Sequence, residues 1–441
     1  MVVVGAARSG IAAAELLARR GARVTLTELR ASFEGMDRLR AAGVQLEVGG
    51  HNAQTFESAH LVVVSPGVPL DQPVLDAASA QNVEIIGELE LASRLVKGRV
   101  IAITGTKGKS TTTTLVGRIL TASGRKVLVG GNIGVPLSAQ VEQSTPDTLH
   151  VVETSSFQLE TTTTFHPWIA VWLNLADDHL DRHPTIEAYA SAKARIFRRQ
   201  VEGDFMVVNA DDPLVMERAA RSAASLVAFS LEGRIRDGFV VDEDWIVRRT
   251  ATGTERLVPL SSVELTGRHM LNNVLAAAAV SSLAGAPAEA MVVALQGFHG
   301  LEHVMEPAGE VGGVRFVNDS KATNVEAAKR SIESFERGVV AIVGGRFKGG
   351  DFRELREPMS KRGRAVVAIG EAAPLVREAL EGTVPVVEAG SMREAVERAH
   401  AAAQPDGVVV LAPACSSFDW FRDYAERGRV FKEEVERLKN A

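Results

Sequence analysis

Short runs of β-branched apolar residues alternate along this chain with longer stretches rich in Ala, Leu, Arg and Glu at helical spacing. Such alternation predicts a parallel α/β architecture in which helices connect neighbouring strands. The pattern restarts three times, at strands predicted over 1–4, 100–103 and 315–317. Because 441 residues exceed what one ordinary core holds, we expect two to four domains.

Composition and charge argue against several classes of protein. The formal net charge of −6 disfavours a general nucleic-acid binder, which usually carries a basic face. The single cysteine, Cys415, cannot form an internal disulfide and fits a reducing compartment. No apolar run reaches the roughly 18–20 residues of a membrane span, and the apolar N-terminus lacks a basic leader. We therefore expect a cytoplasmic protein without nucleic-acid or membrane partners.

The sharpest motif is a glycine-rich loop between a predicted strand and a predicted helix. It comprises Gly105, Thr106, Lys107, Gly108, Lys109, Ser110 and Thr111. In such a loop, backbone N–H groups surround a phosphate, a lysine reaches the β- and γ-phosphates, and a hydroxyl faces Mg²⁺. Two residues separate the glycines where the strict pattern has four, so this is a shortened variant. The alternative is a glycine-rich strand-to-helix turn without a ligand.

Two acidic segments follow other strands of the same block. Glu153 ends a buried strand, where open parallel sheets bind ligands, and its carboxylate suits Mg²⁺. A helix-capping or surface acid is the alternative. The loop 174–183 combines carboxylates with His179, which fits a phosphate or metal contact as well as a solvated acidic loop. The next helix carries Lys193, which its sequence context predicts to be a surface lysine.

Loops at strand ends in the first and third blocks are further candidate sites. The turn 5–10 lacks the middle glycine of a dinucleotide fingerprint, although Glu28 resembles the acid that holds a ribose. Three polar loops of the third block each follow a strand, at 318–324, 344–350 and 413–419. Because the ends of parallel strands share one edge, these loops predict a pocket for a small anion. Cys415 would be a core or pocket-wall thiol there.

Together these motifs resemble, in order, those of the Mur ligases. The matching segments are 104–111, 130–134, 153–159, 178–182, 318–324 and 413–415. The resemblance spans nearly the whole chain and implies a three-domain α/β fold. The implied domains are a Rossmann-like UDP-substrate domain (1–95), a central P-loop ATPase-like domain (96–301) and a Rossmann-like amino-acid-binding domain (302–441).

The same resemblance implies an ATP-dependent amide-bond ligase of peptidoglycan precursor synthesis that acts through an acyl phosphate. The third-block motifs resemble those of the members that add D-glutamate. The implied partners are therefore UDP-N-acetylmuramoyl-L-alanine, D-glutamate, ATP and Mg²⁺. A sibling that adds a different amino acid is the alternative, and we expect a monomer.

The resemblance also implies roles for single residues. Those implied at the UDP substrate are Ala7, Arg8, Glu28, Arg30, Ser65, Gly67, Asn132 and Gln158. Those implied at D-glutamate are Thr323, Lys348, Ser417, Phe418 and Tyr424. ATP would contact the loop 105–111, Asn273 and Asp319, and the implied catalytic residues are Lys109, Glu153, His179, Lys193 and Lys321. The implied Mg²⁺ ligands are Ser110, Glu153, His179 and Lys193, the last carbamylated so that it supplies hard oxygen atoms.

Two positions depart from the family pattern. Val304 follows His303 where the family has an arginine that contacts phosphate, and Met270 follows His269 where the family has an asparagine. Two other classes of function remain as alternatives. An NAD-dependent oxidoreductase could use the turn 5–10 but has no role for the Gly-Lys-Ser loop. A regulatory P-loop module would turn over nucleotide regardless of any acceptor amine.

Overall fold

The computed structural model describes residues 1–176, 182–265, 268–347 and 349–440. Within these ranges the strands form three sheets, in agreement with the three restarts of the sequence pattern. The chain divides into two compact units, Met1–Phe298 with two of the sheets and His299–Ala441 with the third. None of the helices in the described ranges is long and apolar enough to cross a membrane. The predicted boundary between residues 95 and 96 falls inside the first unit and stays a prediction.

A wholly parallel sheet occupies the N-terminal part of the first unit. Its strands are β1 (Val2–Val4), β2 (Thr25–Glu28), β3 (Gln45–Val48), β4 (Leu61–Val64) and β5 (Glu84–Gly87). Its helices are α1 (Arg8–Arg19), α2 (Met36–Ala41), α3 (Ala53–Glu57), α4 (Pro73–Ala80) and α5 (Glu88–Ser93). The order is β3-β2-β1-β4-β5, so the strand order reverses at β1. Ligands of such sheets bind in the crevice at this reversal, beyond the carboxyl ends of the strands.

The second sheet of the first unit is larger and mixed. Its strands are β6 (Arg99–Thr104), β7 (Lys126–Gly131), β8 (Thr148–Glu153), β9 (Ile169–Trp172), β10 (Phe205–Asn209), β11 (Ser225–Ser230), β12 (Gly238–Asp242), β13 (Trp245–Thr250) and β14 (Gly253–Pro259). Its helices are α6 (Lys109–Ala122), α7 (Leu137–Gln140), α8 (Ser156–Glu160), α9 (Ile186–Ala194), α10 (Pro213–Ala219), α11 (Arg268–Leu283) and α12 (Ala288–Leu295). Short 3-10 helices span Val141–Gln143, Arg195–Phe197 and Leu260–Ser262.

The order of this second sheet places β6 between β8 and β9 and follows β14-β13-β12-β11-β10-β9-β6-β8-β7. Residues 100–103 of β6 are buried, as expected for a continuous apolar run in a parallel sheet with both faces covered. The antiparallel ribbon β12–β14 confirms the edge ribbon predicted within 226–262. The predicted last helix over 273–283 is part of α11, and α12 follows it.

The second unit contains the third sheet. Its strands are β15 (Glu306–Val311), β16 (Val314–Asn318), β17 (Val339–Gly344), β18 (Gly363–Ile369), β19 (Val386–Ala389) and β20 (Val408–Leu411). Its helices are α13 (Val325–Glu333), α14 (Arg356–Arg362), α15 (Ala373–Leu380), α16 (Met392–Ala403) and α17 (Tyr424–Lys439), with a 3-10 helix over Phe352–Leu355. The order is β15-β16-β20-β17-β18-β19, parallel except for β15. The loops after β16, β20 and β17 therefore share one edge, as the sequence predicts.

A buried carboxylate fastens α5 to the threonine run 161–164. The side chain of Glu90 is fully buried. It accepts hydrogen bonds from the backbone N–H groups and hydroxyls of Thr163 and Thr164, and one from Arg94 Nε at 2.8 Å. Burial raises the pKa of Glu90, but these hydrogen bonds outweigh burial and lower its pKa to about 2.

The depressed pKa of Glu90 makes stability depend on pH. Because the folded-state pKa lies below the ordinary value of 4.5, the stabilisation is present above about pH 4.5 and is lost as the pH falls toward 2. Glu90→Gln is expected to lower the free energy of unfolding at neutral pH by on the order of 3 kcal/mol. Urea unfolding should show that the difference from wild type shrinks as the pH falls from about 5 to about 3.

Glu84→Gln is the matched control for this prediction. Glu84 also contacts Arg94, at 2.6 Å, but its side chain is 49% exposed. Exposed ion pairs contribute little to stability, so this variant should unfold close to wild type. A Glu90→Gln difference that stayed constant with pH would contradict the assignment.

Candidate active site

The glycine-rich loop joins the carboxyl end of β6 to the first turn of α6. Gly108 has a φ of 83° and lies at the N-cap of α6. The first backbone N–H groups of a helix have no helical acceptor, which makes this turn suitable for an anion. A Cβ at position 108 would lie 2.1 Å from Asn273 Oδ1, so the loop packs directly against α11. The predicted ATP-binding residues 105–111 and Asn273 therefore lie together.

Two lysine amino groups converge on one carbonyl of this loop. Lys109 Nζ donates to the carbonyl oxygens of Gly105 and Thr106, each at 2.9 Å. Lys193 Nζ donates to the same Gly105 oxygen at 2.9 Å and lies 4.4 Å from the centre of the Tyr189 ring. Lys193 is 1% exposed, so the expectation of a surface lysine is wrong. Lys193 therefore joins helix α9 to the glycine-rich loop.

Glu153 lies at the carboxyl end of β8, beside the strand that carries the loop. It is 2% exposed, and its Oε1 accepts a hydrogen bond from Asn132 Nδ2 at 2.7 Å. Its Oε2 is buried and has no hydrogen-bond partner among the described residues. A buried carboxylate oxygen without a donor is costly, and a cation would relieve that cost. This geometry favours a metal-binding role over a helix cap or a surface acid.

Asn174, two residues after the end of β9, bonds to the glycine-rich loop. Its Oδ1 accepts hydrogen bonds from the backbone N–H groups of Thr106 at 3.0 Å and Lys107 at 2.9 Å. Its Nδ2 donates to Lys107 O at 3.0 Å. The sequence analysis gave Asn174 no role of its own. Its position near the end of a strand close to the glycine-rich loop could have predicted a contact with that loop.

The crevice of the first sheet contains the residues predicted to hold a UDP group. Glu28 Oε2 accepts from Ala6 N at 2.8 Å, and Arg30 Nε and Nη2 donate to the two oxygens of Glu28 at 3.2 and 3.0 Å. The hydrogen bond from Arg30 is the largest of the effects that lower the pKa of Glu28 to about 2. Ser65 Oγ donates to Gly5 O at 3.0 Å.

Three further predicted residues border the same crevice. Ala7 is the N-cap of α1, and the exposed Arg8 donates from Nη1 to Gly134 O at 3.4 Å. Gly67 follows β4 and has open space around its Cα. Six of the predicted UDP-substrate residues thus lie around the strand reversal at β1. Asn132 and Gln158 lie instead beside the second sheet, where Asn132 bonds to Glu153 and Gln158 is part of α8. The side chain of Gln158 forms a capping box with Ser155 at the start of α8 and is 3% exposed.

Hydrogen bonds join the loops at the shared edge of the third sheet. Arg346 and Ser416 exchange backbone hydrogen bonds of 3.0 and 3.1 Å, which join the loops after β17 and β20. Arg427 is 1% exposed and donates to Ser320 O at 2.8 Å and to Cys415 O at 3.1 Å. Sequence reasoning quoted Arg427 within a motif but gave it no role. It ties the loop after β16 to the loop after β20.

Of the residues predicted to bind D-glutamate, Thr323, Ser417 and Phe418 lie on these loops, and Tyr424 begins α17. Ser417 is 2% exposed, whereas Phe418 and Tyr424 expose 55% and 38% of their surface. Thr323 is half-buried on the loop after β16. Cys415 is buried, consistent with a core or pocket-wall thiol. Lys348 lies outside the described residues.

The nucleotide residues predicted in the second unit follow β16. Asp319 is 8% exposed, and its Oδ1 accepts from Met305 N at 3.2 Å while its Oδ2 accepts from Ser331 Oγ. Burial raises the pKa of Asp319. The backbone N–H of Lys321 donates to His303 O at 3.1 Å, so the His303 segment lies beside this loop.

The two departures from the family pattern have different structural settings. Val304 is half-buried and follows His303, which is 3% exposed and whose Nδ1 lies 2.9 Å from Asn318 Nδ2. Met270 contacts Asn273, whose Nδ2 lies 3.8 Å from its sulfur. A thioether is a weak acceptor, so this contact is weaker than the amide contact that an asparagine would supply.

The predicted metal ligands are only partly covered by the described residues. Ser110, Glu153 and Lys193 are described, whereas His179 lies outside the described residues. Across 1–176, 182–265, 268–347 and 349–440, no three His, Cys, Asp or Glu side chains form a group that could hold a metal ion. The described residues therefore offer one carboxylate and one hydroxyl rather than a complete protein cage.

Comparison with known proteins gives matches along the whole chain. Residues 1–87 match the model described as Mur ligase MurD-like, N-terminal domain; residues 103–281 match the Mur ligase middle domain; and residues 305–415 match the Mur ligase, glutamate ligase domain. The UDP-N-acetylmuramoylalanine--D-glutamate ligase of Acidobacterium capsulatum is 48% identical, covering 99% of this chain and 95% of the relative. The protein of the same name from Koribacter versatilis is 43% identical, with coverage of 99% and 97%.

Solved structures show the same fold at low sequence identity. A pseudomurein peptide ligase type C from Methanothermus fervidus aligns with a TM-score of 0.56 at 19% identity, covering 99% of this chain and 100% of that one. The UDP-N-acetylmuramate-alanine ligase from Thermotoga maritima aligns with a TM-score of 0.56 at 18% identity and covers 99% of each chain.

Proposed function

Because the chain belongs to the Mur ligase family, we propose that it joins D-glutamate to UDP-N-acetylmuramoyl-L-alanine in peptidoglycan precursor synthesis, using ATP. The full-length relatives that carry this activity in their names support the choice of substrates. The observation that carries the chemistry is that Lys109 and Lys193 both bond to Gly105 O after β6, while Glu153 ends the neighbouring strand β8. Cationic and anionic groups placed together at a phosphate loop suit phosphoryl transfer.

The site fits ATP and Mg²⁺ on its own geometry. The phosphate loop offers first-turn N–H groups at α6, and Glu153 offers a buried oxygen without a partner among the described residues. Nucleotide sites commonly hold Mg²⁺ through one or two carboxylates together with phosphates and water, so a full protein cage is not needed. Glu153 and the hydroxyl of Ser110 would hold the ion. When bound, Mg²⁺ neutralises phosphate charge and orients the transferring group.

The reaction must overcome the poor electrophilicity of a carboxylate. An oxygen of the alanine carboxylate attacks the γ-phosphorus of ATP, ADP leaves, and an acyl phosphate results. The amine of D-glutamate then attacks the acyl carbon, and inorganic phosphate leaves from a tetrahedral intermediate as the amide forms. Lys109 would stabilise charge on the transferring phosphoryl group, and Asn174 would keep the loop in the shape that this requires.

Carbamylation of Lys193 would convert a buried amine into an anion with two hard oxygens. As an ammonium, Lys193 shares the Gly105 carbonyl with Lys109, so two like charges lie close together. A carbamate would reverse one charge and supply Mg²⁺ with the ligand type it prefers. The predicted role of His179 belongs to the same site and rests on the sequence.

The amino-acid pocket is assigned to the second unit. Thr323, Ser417 and Phe418 lie on the loops at its shared sheet edge, and Tyr424 begins α17. Lys348 would supply a cation for a D-glutamate carboxylate. The roles of Asp319 at ATP and of Lys321 in catalysis are proposed from the sequence. The proposed domains are 1–95, 96–301 and 302–441, and the proposed state is a cytoplasmic monomer.

A phosphate-release assay across a panel of amino acids tests the proposal. With ATP, Mg²⁺ and UDP-N-acetylmuramoyl-L-alanine present, D-glutamate is expected to trigger release, whereas L-glutamate, L-alanine, L-lysine and diaminopimelate are not. Release with another amino acid would favour a sibling ligase. Release that ignores every amine would favour the regulatory ATPase, and nicotinamide-cofactor binding would favour the oxidoreductase.

A further inference from the structure

The turn that carries Asn132 is held by a buried glutamine. Gln140 is 3% exposed, and its Nε2 donates to Val129 O at 3.0 Å and to Val135 O at 3.5 Å. These carbonyls lie on either side of the turn 130–134. A Cβ at Gly130 would lie 2.1 Å from Val135 O and 2.3 Å from Gln140 Nε2, so the turn closes tightly around this amide.

His150 fixes the orientation of that amide. Because carbonyl oxygens only accept, the donor end of Gln140 must face them, and its Oε1 faces His150 Nδ1 at 3.2 Å. His150 Nε2 lies 2.7 Å from Ser144 Oγ, and that oxygen accepts from the backbone N–H groups of Lys97 and Gly98 at 2.8 and 3.1 Å. Burial lowers the pKa of His150 to about 4. The neutral ring thus donates from Nδ1 and accepts at Nε2.

The helix that carries Gln140 has a second buried anchor. Ser138 of α7 donates to Glu88 Oε1 from its backbone N–H at 2.7 Å and from its hydroxyl at 2.6 Å. Ser138 is fully buried and Glu88 is 1% exposed. Glu88 is the first residue of α5, which follows β5, the last strand of the first sheet. The position of Gln140 is therefore set both by α5 and by the segment 97–98 that links the first two sheets.

We propose that Gln140, oriented by His150, is a positioning residue that fixes the Asn132 turn for the UDP-linked substrate. The turn carries Asn132, whose Nδ2 donates to Glu153 Oε1 at 2.7 Å. A displaced turn would therefore move the amide that is predicted to contact the substrate. This inference rests on the proposed function, because it assigns the turn to that substrate. The ring and the amide act through the turn and do not touch the reacting atoms.

Gln140→Met tests the inference against Gln200→Met. Gln200 is 4% exposed, and its Nε2 also donates to two carbonyls, Pro167 O at 3.1 Å and Phe205 O at 2.9 Å, but at a different part of the sheet. Both variants should lower the melting temperature, because each loses buried hydrogen bonds. Gln200→Met loses the two from Nε2, and Gln140→Met loses the two from Nε2 and the one between Oε1 and His150 Nδ1. Only Gln140→Met is expected to raise the KM for UDP-N-acetylmuramoyl-L-alanine, by about tenfold, with the KM for D-glutamate unchanged.

His150→Leu keeps the test decisive if Gln140→Met does not fold. It leaves Gln140 in place but removes the donor to its Oε1, so the same KM should rise by a smaller factor. An unchanged KM for the UDP substrate in the folded variants would overturn the inference, since a merely structural role moves stability alone. Wild-type protein that fails to use UDP-N-acetylmuramoyl-L-alanine with D-glutamate would instead overturn the proposed function.

Discussion

Lys109→Ala is expected to abolish turnover while the protein stays folded. The transferring phosphoryl group would lose a cation on the phosphate loop, and loss of one preorganised donor typically lowers kcat by about 10²–10³-fold. The Lys109 amino group bonds to carbonyls of its own loop, and the side chain is only partly buried, so little of the core is removed. Phosphate release under saturating substrates measures the loss, and circular dichroism with thermal unfolding measures the fold.

Lys126→Ala is a matched control for this substitution. Lys126 is the first residue of β7 and therefore lies at the amino ends of the parallel strands, away from the glycine-rich loop at their carboxyl ends. It is exposed and donates to Thr145 Oγ1 at 2.6 Å. Its removal should leave turnover close to wild type. Near-normal phosphate release by a folded Lys109→Ala protein would contradict the proposed role of Lys109 and of the glycine-rich loop in phosphoryl transfer.

Several parts of the site could be predicted because they depend on local pattern. The strand before Gly105 contains a continuous apolar run, and the strand that ends at Glu153 is buried throughout. Both are interior strands in the parallel part of the second sheet. A loop that follows a parallel strand must lie at the carboxyl edge of the sheet. The positions of these loops could therefore be predicted once the strands were predicted. The same reasoning explains why the three polar loops of the second unit share an edge.

Other parts depend on contacts between segments distant in the chain. Asn174 holds the N–H of Thr106 from 68 residues away, and no local spacing encodes that hydrogen bond. Gln140 and His150 read as ordinary polar residues until β7, β8 and α7 are placed together. Glu90 likewise gains its partners only when α5 meets the threonine run.

Lys193 shows the limit of local reasoning most clearly. Neighbouring arginines on the same helical stretch predict a solvated face, because adjacent basic residues are usually exposed. In the structure Arg198 and Arg199 lie in an exposed turn beyond α9 and the following 3-10 helix, whereas Lys193 lies within α9 and is buried. Family resemblance identified Lys193 as a site residue, which the local pattern did not.

Lys193→Ala is expected to lose nearly all activity and to regain part of it with acetate. Lys109 Nζ and Lys193 Nζ each lie 2.9 Å from Gly105 O, so no more than twice that distance separates them. At an effective dielectric of about 20, two ammonium charges so placed repel by about 3 kcal/mol or more. A carbamate on Lys193 would replace this repulsion with attraction and supply oxygen ligands for Mg²⁺. Alanine supplies neither the negative charge nor the oxygen ligands of the carbamate, whereas added acetate can restore both.

Two controls separate a carbamate from a simple buried lysine. Lys193→Arg keeps a positive charge but cannot carry the carbamate, so it should be inactive, and acetate should not rescue Lys109→Ala. Phosphate release with and without acetate measures the rescue, and mass analysis in bicarbonate buffer detects the modification. An active Lys193→Ala protein, together with wild-type protein that shows only the free amine, would refute the carbamate.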